Sequence, residues 1–186
     1  SVNFIATYHY YAIYKIRRLE LERGCNYAED DNEADLIRHT DWCLTLPLMV
    51  IDLYRLSEAV TGNSKSWMND NVAALLAFLM VVLGVIYRFS DIVYLEVPSF
   101  VFSCIIFGFV VHAITAPVLG ESCDNLELDF DNCKSDRHAV LVFTYVWIGY
   151  PIVALISSMR IWGNSEYISF SKDVAYALLD IVSKAG

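Results

Sequence analysis

Long apolar segments separated by shorter polar ones dominate this chain. A helix that crosses the hydrocarbon core of a bilayer needs about 20 mostly apolar residues, and several segments supply that length. We therefore predict an all-α chain, a single domain over residues 1–186 that crosses a membrane several times. The predicted helices cover residues 3–16, 35–58, 67–87, 92–118, 139–159 and 169–185.

The segments between the apolar stretches are polar, and two of them are acidic. We predict a loop from Lys15 to Ala34, which contains the acidic run 29–33, and a long acidic loop from Gly120 to Asp136. Turns are predicted at residues 62–66 and 163–165, where small and polar residues cluster. A solvated surface is the usual meaning of an acidic run, and an acidic vestibule is the alternative for the first loop.

Composition supports the membrane interpretation and narrows the possible partners. Hydrophobic residues make up 56% of the chain, against about 45–50% in soluble domains. The net charge of −9 argues against nucleic acid, which binds basic surfaces. The five cysteines lack metal-ligand spacing, so we predict no metal site. Cys123 and Cys133 could pair only in an oxidising compartment, and free thiols are the preferred interpretation.

The last predicted helix carries two charges in an apolar segment. Asp180 and Lys184 are four residues apart, so they lie on one helical face. Charged groups inside a membrane segment are costly and usually functional. The alternative is a helix-end lysine that extends to the membrane surface, with Asp180 as its partner.

A second pattern lies in the helix predicted over residues 35–58. Residues 38–52 read R-x-x-D-W-x-x-T-x-P-L-x-x-x-D. Asp41, Thr45 and Asp52 follow the helical repeat and project to roughly the same side, with Asp41 and Asp52 about 16 Å apart along the axis. Pro47 should kink this helix, as membrane helices tolerate.

Together with D-x-x-x-K at the end of the chain, this pattern resembles the microbial (type I) rhodopsins, and most closely the proteorhodopsin and xanthorhodopsin-like proton pumps. The resemblance covers nearly the whole chain. It implies a polytopic bundle of the seven-helix rhodopsin type, with the first helix apparently missing from this chain. It also implies a photoreceptor, not an enzyme, with all-trans retinal bound covalently to Lys184 as a Schiff base.

The resemblance assigns a role to each charged residue of these motifs. Asp41 would be the counterion and proton acceptor, and His9 would be its hydrogen-bond partner. Arg38 would balance the excess negative charge of the carboxylates. Asp180 would be the second counterion and Asp52 the proton donor. The expected retinal-binding residues are Tyr10, Trp42, Thr45, Met49, Met80, Gly84, Trp147, Tyr150, Pro151 and Ser183.

Several of these residues also have plainer interpretations. His9 could be a satisfied core histidine on an aromatic helix face, and Met80 could be ordinary core packing. Asp52 could be a surface acid at a helix end, because the polar residues Arg55 and Glu58 follow it.

The chain departs from the family pattern at five positions. Ala77 replaces an acid, and Leu46 replaces the threonine that usually binds it, so both members of a polar pair are lost together. Ala154 replaces an aromatic residue near the retinal ring. Lys172 and Met159 stand where two glutamates often form a proton-release group.

The expected function is a light-driven outward proton pump. Asp41 would accept the proton on one side, and Asp52, in apolar surroundings and protonated in the dark, would supply it from the other. The alternatives are a light-gated ion channel or a light-sensing module fused to an effector, and a retinal-free membrane scaffold. We expect a multi-pass protein of the plasma membrane or another cellular membrane, with retinal, lipid and protons as partners and a homo-oligomeric state.

Overall fold

The structure is a computed structural model that describes residues 2–23, 31–61, 68–120, 130–158 and 166–184. These ranges form six α-helices and contain no strand, which confirms the predicted all-α class. The helices are α1 Val2–Arg23, α2 Asp31–Thr61, α3 Asp70–Phe89, α4 Val93–Gly120, α5 Phe130–Ser158 and α6 Glu166–Lys184.

The loop predicted from Lys15 to Ala34 is wrong over much of its length. Residues 15–23 continue α1, and residues 31–34 begin α2. The charged residues of this segment suggest a loop, but lysine, arginine and glutamate are good helix formers. Arg18 and Glu22, one helical turn apart, form an ion pair at 3.0 Å on the surface of this extension.

The acidic loop predicted from Gly120 to Asp136 is also too long. Gly120 ends α4, and α5 already begins at Phe130, so residues 130–136 are helical. The turns predicted at 62–66 and 163–165 lie outside the described residues, as do Cys25 and Cys123.

Within the described residues, three helices contain segments long and apolar enough to cross a membrane. They are Asp70–Phe89 in α3, Tyr94–Leu119 in α4 and Arg137–Ile156 in α5. α2 continues through Pro47 and α5 through Pro151, as expected for membrane helices, which tolerate internal proline.

The helices that carry the charged motifs have polar faces inside and apolar faces outside. On α6, Asp180 and Ser183 are each 2% exposed, whereas Leu178 is 58% and Ile181 63% exposed. α2 follows the same rule with buried Asp35, Arg38, Asp41 and Thr45 and exposed Leu36, Leu44 and Leu48. Buried charges under an exposed apolar surface indicate that lipid, not water, surrounds these helices.

The chain divides into two compact units, Ser1–Trp42 with Tyr145–Gly186, and Cys43–Thr144. In the second unit, hydroxyl groups bind backbone carbonyls of neighbouring helices. Ser57 Oγ donates to Ile114 O at 2.8 Å, which joins α2 to α4, and Ser103 Oγ donates to Met80 O at 3.0 Å, which joins α4 to α3. Asn69 caps α3 by accepting from the Asn71 amide.

In the first unit, Gly149 allows α5 and α6 to approach closely. A Cβ atom placed on Gly149 would lie 2.7 Å from Leu179 Cδ2 and 3.2 Å from Leu179 Cδ1. These distances are shorter than normal packing allows. The glycine therefore leaves room for the Leu179 side chain between the two helices, beside Tyr150, the next residue in α5.

We expect Gly149→Ala to lower the free energy of unfolding by about 1–2 kcal/mol. Overpacking costs about 1–3 kcal/mol, and alanine returns about 0.5–1 kcal/mol of helix propensity. Unfolding in detergent micelles, followed by circular dichroism, measures the change.

The matched control is Gly108→Ala in α4, because a Cβ atom there meets nothing within 4 Å. This variant should be neutral or slightly stabilising. Leu179→Ala should relieve most of the cost of Gly149→Ala. Equal stability changes in the two alanine variants would show that the contact with Leu179 does not limit the approach of the helices.

Candidate functional site

The carboxylate of Asp180 accepts hydrogen bonds from three side chains on three other helices. The hydroxyls of Tyr10 on α1 and Tyr150 on α5 both donate to it. Trp42 Nε1 on α2 lies 3.3 Å from Oδ1 and 3.4 Å from Oδ2. The Oγ atom of Ser183 lies 3.1 Å from the hydroxyl oxygen of Tyr150. Asp180 is therefore the point at which four helices of the first unit are joined by hydrogen bonds.

Aromatic rings pack together around this carboxylate. The Trp42 ring meets the edges of Tyr150 and Tyr176, with centroids 5.2 Å apart in both pairs. Tyr150 and Tyr176 stack at 6.1 Å. The indole N–H of Trp42 and the hydroxyl of Tyr150 bind the carboxylate, and the rings that carry them add apolar surface beside it.

Asp41 forms the second buried carboxylate of the first unit. Its Oδ1 lies 3.1 Å from His9 Nδ1, and the residue is only 1% exposed. His9 and Tyr10 are adjacent on α1, so one turn of that helix contacts both carboxylates. The structure thus brings His9 and Asp41 together, as the sequence analysis expected.

Arg38 has different partners from those expected. It was predicted to balance the charge of the counterions, but its Nη1 lies 2.7 Å from Asp35 Oδ1 and its Nη2 2.8 Å from Asp173 Oδ1. The guanidinium also lies over the ring of Tyr176, 5.1 Å from its centroid. Both terminal nitrogens of Arg38 are therefore held by two carboxylates that the sequence analysis did not identify.

Two further cations complete this arrangement. Lys172 Nζ lies 3.0 Å from Asp35 Oδ2, and Arg17 Nη2 lies 2.9 Å from Asp173 Oδ2. The result is a chain of alternating charges on α1, α2 and α6, which we call the five-charge chain. Its members in order are Arg17, Asp173, Arg38, Asp35 and Lys172.

A sequence signal for the missed acids existed. Asp35 precedes Arg38 by three residues, and Asp173 precedes Asp180 by seven, so each shares a helical face with a motif residue. Both residues lie outside the family motifs quoted above, so neither was among the predicted site residues.

Three other predicted residues also belong to the first unit. Lys184 is the last helical residue of α6 and follows Asp180 by one turn. Trp147 on α5 is 3% exposed, and its Nε1 is a buried donor with no hydrogen-bond partner in the described part of the chain. Pro151 is half-buried within α5.

The second unit holds the remaining predicted residues. Thr45 is buried, and Met49, Met80 and Gly84 are half-buried. Asp52 differs from them because its side chain is exposed on α2. The described residues of this unit therefore do not enclose it, and its role as a proton donor stays a prediction.

The charges of the first unit suit a cationic group on Lys184. The five-charge chain together with Asp41 and Asp180 contains four carboxylates and three fixed cations. One negative charge therefore remains among these seven groups, and a cationic chromophore bound in this unit would neutralise it. The residues present therefore fit the expected chromophore.

Comparison with known proteins agrees with this geometry. The family model for bacteriorhodopsin-like proteins matches residues 1–186. A green-light absorbing proteorhodopsin from Gamma-proteobacterium EBAC31A08 is 21% identical over 158 residues, which cover 85% of this chain and 60% of that protein. A second green-light absorbing proteorhodopsin, from an unknown prokaryotic organism, gives the same values.

The chain spans about three fifths of the length of these relatives. No solved structure matches it. The family match over the whole chain, the apolar helices and the buried polar faces agree with one another. Members of the bacteriorhodopsin-like family are photoreceptors and transporters rather than enzymes, and membership of the family implies a retinal chromophore. This chain belongs to that family and is an integral, multi-pass membrane protein.

Proposed function

We propose that this chain is a light-driven outward proton pump that binds all-trans retinal on Lys184. The observation that carries the proposal is the pair of buried carboxylates, Asp41 and Asp180, in the unit that contains Lys184. Bound there, retinal would supply a light-absorbing polyene and an imine nitrogen whose affinity for its proton changes after isomerisation.

The two carboxylates have partners of different chemistry, which supports different roles. Asp180 is held by phenol and indole groups, and a free phenol loses its proton only near pH 10. Asp41 is bound to His9, an imidazole that can gain or lose a proton near neutral pH. Asp180 is thus suited to remain a fixed negative charge, and Asp41 to accept a proton.

Proton uptake by Asp41 would be shared with His9. A proton that arrives at Asp41 changes the charge of the contact that Asp41 makes with His9. Burial limits direct exchange of that proton with bulk water. The arrangement therefore favours a proton from the chromophore over a proton from solvent.

One observation favours a second function. A proton donor acts best when protein encloses it, and Asp52 is exposed in the second unit. A light-gated channel or a light-sensing module needs no such donor. Voltage-clamp recording under illumination separates a pump from a channel, because a pump current keeps its sign across voltage while a channel current reverses.

We predict that Lys184→Ala abolishes the visible absorption band after reconstitution with retinal, because the covalent attachment is lost. Absorption spectroscopy and denaturation with acid, which retains only covalently bound retinal, measure the change. Lys15→Ala is the control, since Lys15 is exposed on α1 and should leave the band intact. A Lys184→Ala protein that still held retinal covalently would disprove the assignment.

We predict that the visible band shifts to the red as pH falls, because protonation of Asp41 removes negative charge near the chromophore. Asp41→Asn should absorb at the red position at all pH values, and His9→Ala should move the pH midpoint. Spectral titration from pH 3 to 10 measures both effects.

Asp91→Asn serves as the control for this titration, because Asp91 is an exposed acid between α3 and α4. It should titrate like the unmodified chain. If the acid-induced shift survived in Asp41→Asn, another group would be the counterion.

We predict that Asp52→Asn slows recovery from the blue-shifted, deprotonated intermediate by roughly 10²–10⁴-fold at neutral pH, the usual loss for a positioned proton donor. Flash photolysis measures the decay, and the stationary pump current should fall with it. Azide, a small mobile proton carrier, should restore the rate.

The same experiment decides between the two functions. Unchanged decay that is also independent of pH would show that Asp52 is a surface acid, as its exposure suggests. The pump would then lack its donor, and the channel or sensor would become the better assignment.

A further inference from the structure

The ring of Tyr176 on α6 contacts side chains of two other helices. It meets the Trp42 ring of α2 with centroids 5.2 Å apart and planes at 71°, and it stacks on the Tyr150 ring of α5 at 6.1 Å and 21°. The Arg38 guanidinium lies over the same ring, 5.1 Å from its centroid, and Tyr176 is only 7% exposed. Tyr176 therefore joins two of the residues that bind Asp180 to a member of the five-charge chain.

The hydrogen bond from Trp42 to Asp180 depends on the orientation of the indole ring. Nε1–H is the single donor of this side chain. It lies 3.3 Å from Oδ1 and 3.4 Å from Oδ2 of the carboxylate, slightly beyond the range of about 2.7–3.2 Å that most N–H···O bonds occupy. A small rotation of the indole would break so long a contact, so the ring needs neighbours that hold its plane.

Three rings surround the Trp42 indole, each with its centroid 5.2 Å away. They belong to His39, Tyr150 and Tyr176. His39 lies on α2 itself, three residues before Trp42, and Tyr150 binds Asp180 directly. Tyr176 lies on α6 one turn before Asp180, so its contact holds the indole relative to the helix that carries the acceptor.

We propose that Tyr176 is a positioning residue whose ring holds the Trp42 indole so that Nε1–H stays directed at the Asp180 carboxylate. Edge-to-face aromatic pairs have a preferred geometry, which gives such a contact directional strength. The role of Asp180 beside the chromophore rests on the proposed function, whereas the packing of the three side chains does not. A donor on the carboxylate spreads its negative charge, so Tyr176 sets how much of that charge acts on the chromophore.

Two substitutions at position 176 separate the ring from its hydroxyl. Tyr176→Leu removes the ring and should weaken the Trp42 hydrogen bond, whereas Tyr176→Phe keeps the ring and should preserve it. Ultraviolet resonance Raman spectroscopy measures the change, because one indole band responds to hydrogen bonding of the N–H group. The chain has four tryptophans, and subtraction of the Trp42→Phe spectrum isolates the band of Trp42. A phenylalanine variant as weak as the leucine variant would overturn the proposal.

Two controls distinguish positioning from general loosening of the first unit. Tyr145→Leu removes a tyrosine of α5 that is 70% exposed, and it should leave the Trp42 band unchanged. Trp147 is an internal reference, because it is 3% exposed and its Nε1 has no hydrogen-bond partner within the described ranges. Water that entered a loosened unit would give this donor a partner and move its band. A Tyr176→Leu spectrum in which both tryptophan bands change would show a general structural role and overturn the proposal.

The visible band gives a second readout in the chain reconstituted with retinal. Tyr176→Leu should shift the band to the blue, because a carboxylate that loses a donor concentrates its negative charge beside the chromophore. Tyr176→Phe should absorb like the unmodified chain. In a Trp42→Phe background, Tyr176→Leu should cause no further shift. An equal shift in both backgrounds would show that Tyr176 acts by a route other than Trp42 and would overturn the proposal.

Raman spectra of the chain with and without retinal separate this inference from the proposed function. A chain that forms no visible band disproves the proposed function, and the Trp42 band of the retinal-free variants still decides the role of Tyr176. A visible band together with a Trp42 Raman band that Tyr176→Leu leaves unchanged disproves only the positioning role. If Tyr176→Leu does not fold, Tyr176→Met repeats the comparison, because the unbranched side chain of methionine fills irregular gaps.

Discussion

The structure of the first unit depends on the burial of the Asp180 carboxylate. A carboxylate removed from water is costly unless hydrogen-bond donors replace its hydration. Here α1, α2 and α5 each contribute a donor, from Tyr10, Trp42 and Tyr150. Because these donors are rigid aromatic side chains, they can reach Asp180 only from a narrow range of helix positions. The need of the Asp180 carboxylate for hydrogen-bond donors therefore restricts the packing of four helices.

The same requirement accounts for the inverted faces of the helices. In lipid, apolar side chains gain nothing by facing inwards, whereas charged groups lose heavily by facing outwards. α2 accordingly directs Asp35 and Asp41 inwards and Leu36, Leu44 and Leu48 outwards, and α6 directs Asp180 inwards and Leu178 outwards. The five-charge chain follows the same logic, since each internal charge is bound to a charge of opposite sign. Buried ion pairs are weak evidence for stability, so this arrangement does not by itself show that the five-charge chain stabilises the fold.

The sequence predicted the class of the fold and the number and order of the helices in the described ranges, because apolar length is the main signal for a membrane helix. The resemblance to the microbial rhodopsins, rather than spacing along any one helix, also placed Trp42, Tyr150 and Asp180 in one site. Helix ends were predicted poorly where charged residues continued a helix, as in residues 15–23. The length of an apolar segment does not predict where the polar extension of its helix ends.

The partners of Arg38 could not be predicted from local spacing. Asp35 lies within one turn, but Asp173 is 135 residues away along the chain, and only packing brings them together. Patterns that specify a face of one helix do not specify which face of another helix it meets. For the same reason the exposure of Asp52 could not be deduced from the apolar run before it.

Lys172 is a departure from the family pattern whose charge is balanced by a nearby carboxylate. A lysine at this position adds a positive charge where members of the wider family often carry a glutamate of the proton-release group, and alone it would be a costly buried cation. The structure supplies its counter-charge in Asp35, at 3.0 Å. Asp35 in turn needs both Lys172 and Arg38 to satisfy its two oxygens. The two residues are thus linked by charge balance, and replacing Asp35 by a neutral residue would remove the counter-charge that Lys172 has here.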